Sequence, residues 1–260
     1  SQSITLQFEA RVGAEKFDCN KSFSNVGTPG STVEPLTFAF YIHDVRLTTA
    51  AGEVPLTLTQ DAKWQYQNVA LLDFEDKSGT CTNGTTDTNS VIKGTLPLGS
   101  GSLTGVKFKV GVPTTLNHGN VATQPSPLNL SSMFWDWQSG YKFMRMDFRV
   151  KATADAGPSG AVLLHIGSTG CSPLDAGPAC SKLNVPEISL TGAFNPATNK
   201  IVLDYAKLVK DNDFAINQGG PPGCMGDSND PECAGIYKAL GLDIATGNPG
   251  STAQTVFTIE

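Results

Sequence analysis

Residues 3–12 read SITLQFEARV, with Ile4, Leu6, Phe8 and Ala10 at alternate positions. Successive side chains of an extended chain point to opposite faces, so this pattern builds a strand with one apolar side. Alternation returns at 36–47 (LTFAFYIHDVRL), 91–98, 105–112 (GVKFKVGV), 141–150 (YKFMRMDFRV), 161–166, 188–194, 201–208 and 255–259. Residues 69–74 (VALLDF) are almost continuously apolar, as a strand covered on both faces requires. Only 233–240 (CAGIYKAL) suggests one or two helical turns, stopped by Gly241. About ten short strands broken by Gly, Pro and Asn predict an all-β chain. The expected architecture is an antiparallel β-sandwich with long loops and little helix, forming a single domain over 1–260. The long connections at 20–33, 113–132 and 217–232 are where function is expected, since a rigid sheet holds its loops in place.

Composition narrows the partners. Eighteen Lys and Arg stand against 24 Asp and Glu, a formal net charge of −6. Such a balance repels phosphate backbones and anionic lipid, which argues against nucleic acid. No stretch approaches the ~20 apolar residues of a membrane span. Charged residues make up 16% of the chain, below the ~25% typical of globular proteins, while 27 Gly and 16 Pro favour turns. The chain starts at Ser1 rather than Met, as expected of a periplasmic or secreted protein whose signal peptide is already removed.

Six cysteines, Cys19, Cys81, Cys171, Cys180, Cys224 and Cys233, point the same way. An even number in a turn-rich chain reads as a disulfide framework made in an oxidising compartment. The last four form two matched C-x8-C units, too widely spaced for a zinc ribbon. Cys19 with Cys81, and each C-x8-C unit closed on itself, is the pairing expected; cross-pairing between the two units is the alternative among fifteen.

Catalytic motifs are missing, and no catalytic residue is expected. There is no G-x-S-x-G elbow, and Ser126 and Ser159 lie in ordinary Pro-containing turns. The glycine-rich 99–105 (GSGSLTG) lacks the lysine and helix of a phosphate loop, and no H-E-x-x-H occurs. The acidic run 226–232 (GDSNDPE) lacks EF-hand spacing.

The scarce residues are more informative. The three histidines, His43, His118 and His165, all sit beside apolar sequence. Neutral imidazoles suit copper, and two or three of them suit Cu(I); the plain alternative is a hydrogen-bonded core histidine. Residues 133–148 (MFWDWQSGYKFMRMDF) are the most aromatic part of the chain. On a strand Trp135 and Trp137 share a face, as do Met144 and Met146. Thioethers are soft copper ligands, and indole is readily oxidised; core packing is the commoner use of both.

Five ordered segments carry a family resemblance: VALLDFED (69–76), GVPTTLNH (111–118), FWDWQSGYKF (134–143), HIGSTGC (165–171) and PGCMGDSNDPEC (222–233). Together they resemble the MbnP-like family of periplasmic proteins with a four-Cys motif. The resemblance implies a copper-binding protein, not itself an enzyme, with a role in copper acquisition or homeostasis that is in some settings linked to methanobactin. Its implied partner is a di-haem c-type cytochrome of the MauG/cytochrome c peroxidase-like class (MbnH-like), which oxidises a Trp to kynurenine so that Cu(I) can bind. His43 and His118 look like the ligand pair, with His165 in reserve. Tyr41, not Trp, stands two residues before His43. The modified indole is therefore sought at Trp135, Trp137 or Trp64. The competing expectation is a metal-free secreted sandwich used for recognition or structure.

Overall fold

The structure is a computed structural model describing residues 1–151, 160–173 and 179–260. The turn expected at Ser159 and the centre of the Cys171–Cys180 loop lie outside the described residues. Gln2–Val12 is the long strand that 3–12 predicts, and Ile4, Leu6, Phe8 and Ala10 are all buried. It pairs antiparallel with Val91–Leu96 and parallel with Lys200–Asp204, whose other edge carries Phe257–Ile259. The second sheet runs Glu187–Thr191, Leu103–Val110, Ala39–Thr49, Met144–Arg145, Ala161–Ile166, Phe148–Val150, Ser31–Pro35 and Phe23–Val26. Val69–Asp73 pairs with the first half of Ala39–Thr49. The architecture is all-β, mostly antiparallel, with a second parallel contact where Gly223–Cys224 meets Ala161–Ile166.

One apolar cluster joins the two sheets. Phe8 of the first meets Phe40 and Phe108 of the second edge-on, with ring centroids 6.4 and 5.9 Å apart. Edge-to-face aromatic pairs each add about 0.5–1.5 kcal/mol beyond the area they bury. Met144 and Met146 are fully buried in this cluster, so both serve packing.

Two predicted strands behave differently. The 141–150 segment is interrupted into Gly140–Tyr141, Met144–Arg145 and Phe148–Val150: the first pairs with Phe134–Asp136, and the other two share Ala161–Ile166 but meet Ala39–Thr49 and Ser31–Pro35 on their other edges. The 201–208 strand stops at Asp204, whose carboxylate accepts the Ala206 N–H at 2.9 Å and caps the helical turn Tyr205–Leu208. Pro231–Ala239 is the expected short helix, started by Asp230.

A bulge shapes the outer face of the second sheet. Lys107 pairs with Arg46 but Lys109 with His43, so two residues, Asp44 and Val45, oppose one. Asp44 adopts φ 51° there, a left-handed conformation that Asp tolerates better than most residues. The extra residue resets the alternation. Phe40, Ile42, Val45 and Leu47 all enter the main core, while Ala39 and Tyr41 face the other way. That outer face is roofed by a second cluster including Val112, Leu128, Met133, Tyr141 and Phe143. The connection after Leu103–Val110 supplies this roof, held partly by Tyr41, whose hydroxyl donates to Pro127 O at 2.7 Å.

Asp73 and Glu75 are buried carboxyls. Burial, and then the neighbouring Glu75, push Asp73 up to about 8, and burial pushes Glu75 up to about 7. Asp73 Oδ1 has no hydrogen-bond partner among the described residues. Acids with a raised folded pKa bind protons more tightly in the native state, so their contribution is complete below about pH 4 and is lost as pH rises to about 8. Thermal melts are expected to show a falling midpoint from about pH 5 to about pH 8, with Asp73→Asn flattening the slope. An unchanged slope in the variant would remove Asp73 as its source.

Candidate metal centre

The site grows from residues 111–118. Gly111 is locked to the sheet by donating its N–H to Tyr41 O at 2.8 Å. Pro113 sets up the turn Thr114–Asn117, and His118 follows at its end. His43 projects from the sheet just before the bulge, with Nδ1 2.8 Å from Gly111 O. A carbonyl only accepts, so Nδ1 carries the proton and Nε2 holds the lone pair. Burial lowers the His43 pKa, which keeps this imidazole neutral.

His118 is wired the same way by different means. The Tyr141 N–H donates to Asn117 Oδ1 at 2.9 Å, which fixes the amide with its NH2 group turned to His118. Asn117 Nδ2 lies 3.3 Å from His118 Nε2, and His118 Nδ1 lies 3.2 Å from Trp137 O. The amide donates and the carbonyl accepts, so this ring is also the Nδ1–H tautomer. Its Nε2 faces the Cys171–Cys180 disulfide, 3.5 Å from Cys180 Sγ. Gly140, at φ 82°, makes the close approach possible: a Cβ there would stand 2.5 Å from Asn117 O.

The indoles occupy distinct places. Trp135 is half-buried, its ring laid against Gly167, where a Cβ would fall 2.6 Å from a ring carbon. It lines a hollow of about 540 Å³ together with Ser168, Cys171 and Met225. Ser168 also borders a neighbouring hollow of about 220 Å³ that contains His43, so the two share a wall. Trp137 is 55% exposed. Trp64 packs against the roof cluster, with the Lys63 ammonium 5.2 Å from its ring centroid.

His165 is placed apart from this wiring, on Ala161–Ile166 opposite Arg145. Its Nε2 lies 2.8 Å from Asp147 Oδ1, but the contact is too poorly aligned to count as a hydrogen bond. Burial alone would raise the Asp147 pKa, yet His165 and Arg145 together hold it below the usual range. His165 is thus matched to a carboxylate, whereas His43 and His118 are matched to carbonyls.

Asn117, Gly140, Gly167 and Met225 escape the sequence reading. Only Met225 carries a visible signal, a thioether inside a C-x8-C unit. The disulfides join Cys19 to Cys81, Cys171 to Cys180 and Cys224 to Cys233. Disulfide sulfurs are not thiolates, so the metal donors here are the imidazoles, while the Met225 thioether lines the Trp135 hollow.

A family model described as MbnP matches residues 1–226. Among solved structures, MbnP from Methylosinus trichosporium is similar at a TM-score of 0.86 and 28% identity, covering 99% of this chain and 98% of that one. No curated protein sequence gives a match.

Proposed function

The chain belongs to the MbnP family, and from that premise we propose that it is a periplasmic copper-binding protein rather than an enzyme. Cu(I) is held by His43 Nε2 and His118 Nε2, and the role is copper acquisition or homeostasis. One observation carries this reading: both rings spend Nδ1–H on a backbone carbonyl, which leaves the Nε2 lone pair of His43 without a partner among the described residues and that of His118 held only by the long 3.3 Å contact from Asn117. Such partners orient a ligand and choose its tautomer before the metal arrives. Neutral nitrogen donors suit a soft monovalent ion that tolerates low coordination. Three disulfides among the described residues, and no helix long and apolar enough to cross a membrane, are compatible with the compartment.

A di-haem c-type cytochrome of the MauG-like class is the proposed partner, and Trp135 the indole it converts to kynurenine. Trp135 is favoured because it lines a hollow with Cys171, whose disulfide faces His118, whereas Trp64 sits under Lys63. Conversion opens the five-membered ring and leaves an aniline and a ketone as new polar donors.

Competition titration with a Cu(I) chelator tests the ligands. His43→Ala and His118→Ala are each expected to weaken binding ~100-fold or more, since even outer-shell partners are worth about 10–100-fold. His165→Ala is expected to leave affinity unchanged. Co-expression with the di-haem partner should raise the intact mass by about 4 Da, one oxygen gained and one carbon lost. Trp135→Phe should abolish that shift. Binding no tighter than micromolar in the modified protein would favour a metal-free recognition role instead.

A further inference from the structure

We propose that the Cys171–Cys180 disulfide is a reducible cover over a second, thiolate-based metal site completed by His118. When a dithiol reductant opens it, the two sulfurs and His118 Nε2 take one soft d10 cation such as Cd(II), Zn(II) or Cu(I). This site shares His118 with the copper reading above but needs neither His43 nor an oxidised indole.

Three observations converge on it. The ligand atoms of His118, Cys171 and Cys180 already lie within 4.8 Å of one another. The imidazole turns its Nε2, which also takes the 3.3 Å contact from the Asn117 amide, toward the sulfurs at 3.5 Å, and a metal bound there would replace that amide contact. Accessibility then separates this disulfide from the others. Cys19, Cys81, Cys224 and Cys233 are no more than 3% exposed, whereas Cys171 and Cys180 are half-buried. Thiol–disulfide exchange needs a thiolate to reach a sulfur, so the exposed bridge opens first.

The hairpin keeps the ligands together after opening. Thr169–Ser172 and Ala179–Lys182 pair as their own two-stranded sheet, with Cys171 directly opposite Cys180. Lys182 anchors one strand through Ser228 at 2.5 Å and Ile244 O at 3.2 Å. Gln138 holds the other by donating to Cys171 O at 2.7 Å. Two thiols released here stay beside His118 rather than dispersing.

The chemistry balances. One thiolate of the dithiol attacks a sulfur, the S–S bond breaks, and the second thiol closes the reductant's own disulfide. Two electrons and two protons pass to the cysteines, giving two thiols. Metal binding then displaces both thiol protons to solvent, while His118 keeps its Nδ1 proton on Trp137 O. A donor set of two thiolate sulfurs and one imidazole nitrogen selects soft cations and leaves a zinc-group ion one open position for water.

The full oxidised chain would be treated with dithiothreitol under native conditions, desalted without oxygen and titrated with Cd(II). Thiol counting with alkylation mapping should find two thiols, at Cys171 and Cys180. One Cd(II) per chain should then bind with a thiolate-to-cadmium charge-transfer band in the ultraviolet. His118→Ala should release the same thiols but weaken Cd(II) ~10-fold or more. His43→Ala should leave the cadmium titration unchanged while weakening Cu(I) in the oxidised protein, which separates the two readings. The Cys171→Ser/Cys180→Ser double variant should show no band. A bridge that resists reduction until the chain unfolds, thiols that bind no cadmium, or an unaffected His118→Ala variant would each overturn the proposal.

Discussion

Replacing Cys19 and Cys81 together by alanine is expected to cost about 4 kcal/mol of stability, the largest loss from any of the three bridges. The bond joins residues 62 apart, and in the chain-entropy account a longer closed loop removes more freedom from the unfolded state. The bridges at separation 9 should each contribute roughly 3 kcal/mol on the same reasoning. Both sulfurs of the long bridge are buried in the main core. Around them Thr80 donates its N–H to Cys19 O and its hydroxyl to Pro35 O, at 2.9 and 2.6 Å. For a chain of this size, about 4 kcal/mol corresponds to a melting midpoint lowered by roughly 8–16 °C. Calorimetry of the double variant checks it. A midpoint within a few degrees of the parent would mean that the unfolded chain gains little freedom when the bridge is absent.

Asp147→Ala is expected to cost about 3 kcal/mol, because it leaves the largely buried Arg145 guanidinium without its carboxylate. Asp147 is 3% exposed and faces Arg145 Nε at 3.1 Å and His165 Nε2 at 2.8 Å. Its N–H and the Thr37 N–H also tie two inter-strand links together, donating to Thr37 O and Asp147 O respectively. Removing the carboxylate leaves the Arg145 guanidinium without its partner, and a guanidinium keeps its charge at any accessible pH. The cost should therefore persist at neutral pH. Because the folded pKa is depressed, this stabilisation is present above the unfolded value near 4 and is lost as pH falls through the folded one. Asp73 and Glu75 act in the opposite sense, so stability should peak at mildly acid pH. Urea denaturation of Asp147→Ala and Asp147→Asn across that range measures both. A loss below about 1 kcal/mol would show that Arg145 reaches water without the carboxylate.

Much of the architecture was legible because strand alternation is a local property. Ile4, Leu6, Phe8 and Ala10 line the core as their spacing demands. The nearly continuous apolar run at Val69–Asp73 is buried throughout, as a doubly covered strand should be. Where alternation misled, a pairing partner intervened. Simple period-two reading puts His43 on one face with Val45 and Leu47, yet the bulge sends Val45 and Leu47 into the main core and leaves His43 facing the 111–118 loop. Likewise Tyr205 continues an apolar run, but it stacks on Phe148 at 3.9 Å in a helical turn.

The site was less legible. Its scarce residue types could be named, but three histidines with similar apolar neighbours received three different environments. Asn117 and Gly140 were invisible, since their roles exist only once Tyr141 approaches from 24 residues away.

By itself, then, the sequence determined the all-β class, the strand faces, the exclusion of the catalytic motifs sought, and the few side chains able to ligate a soft metal. Tertiary structure alone decided which imidazole faces a carbonyl and which a carboxylate, which indole lines a hollow, and which bridge stands open to reductant. The reason is physical: periodicity records which side of a strand is apolar, whereas tautomer, accessibility and ligand reach depend on contacts between segments far apart in the chain.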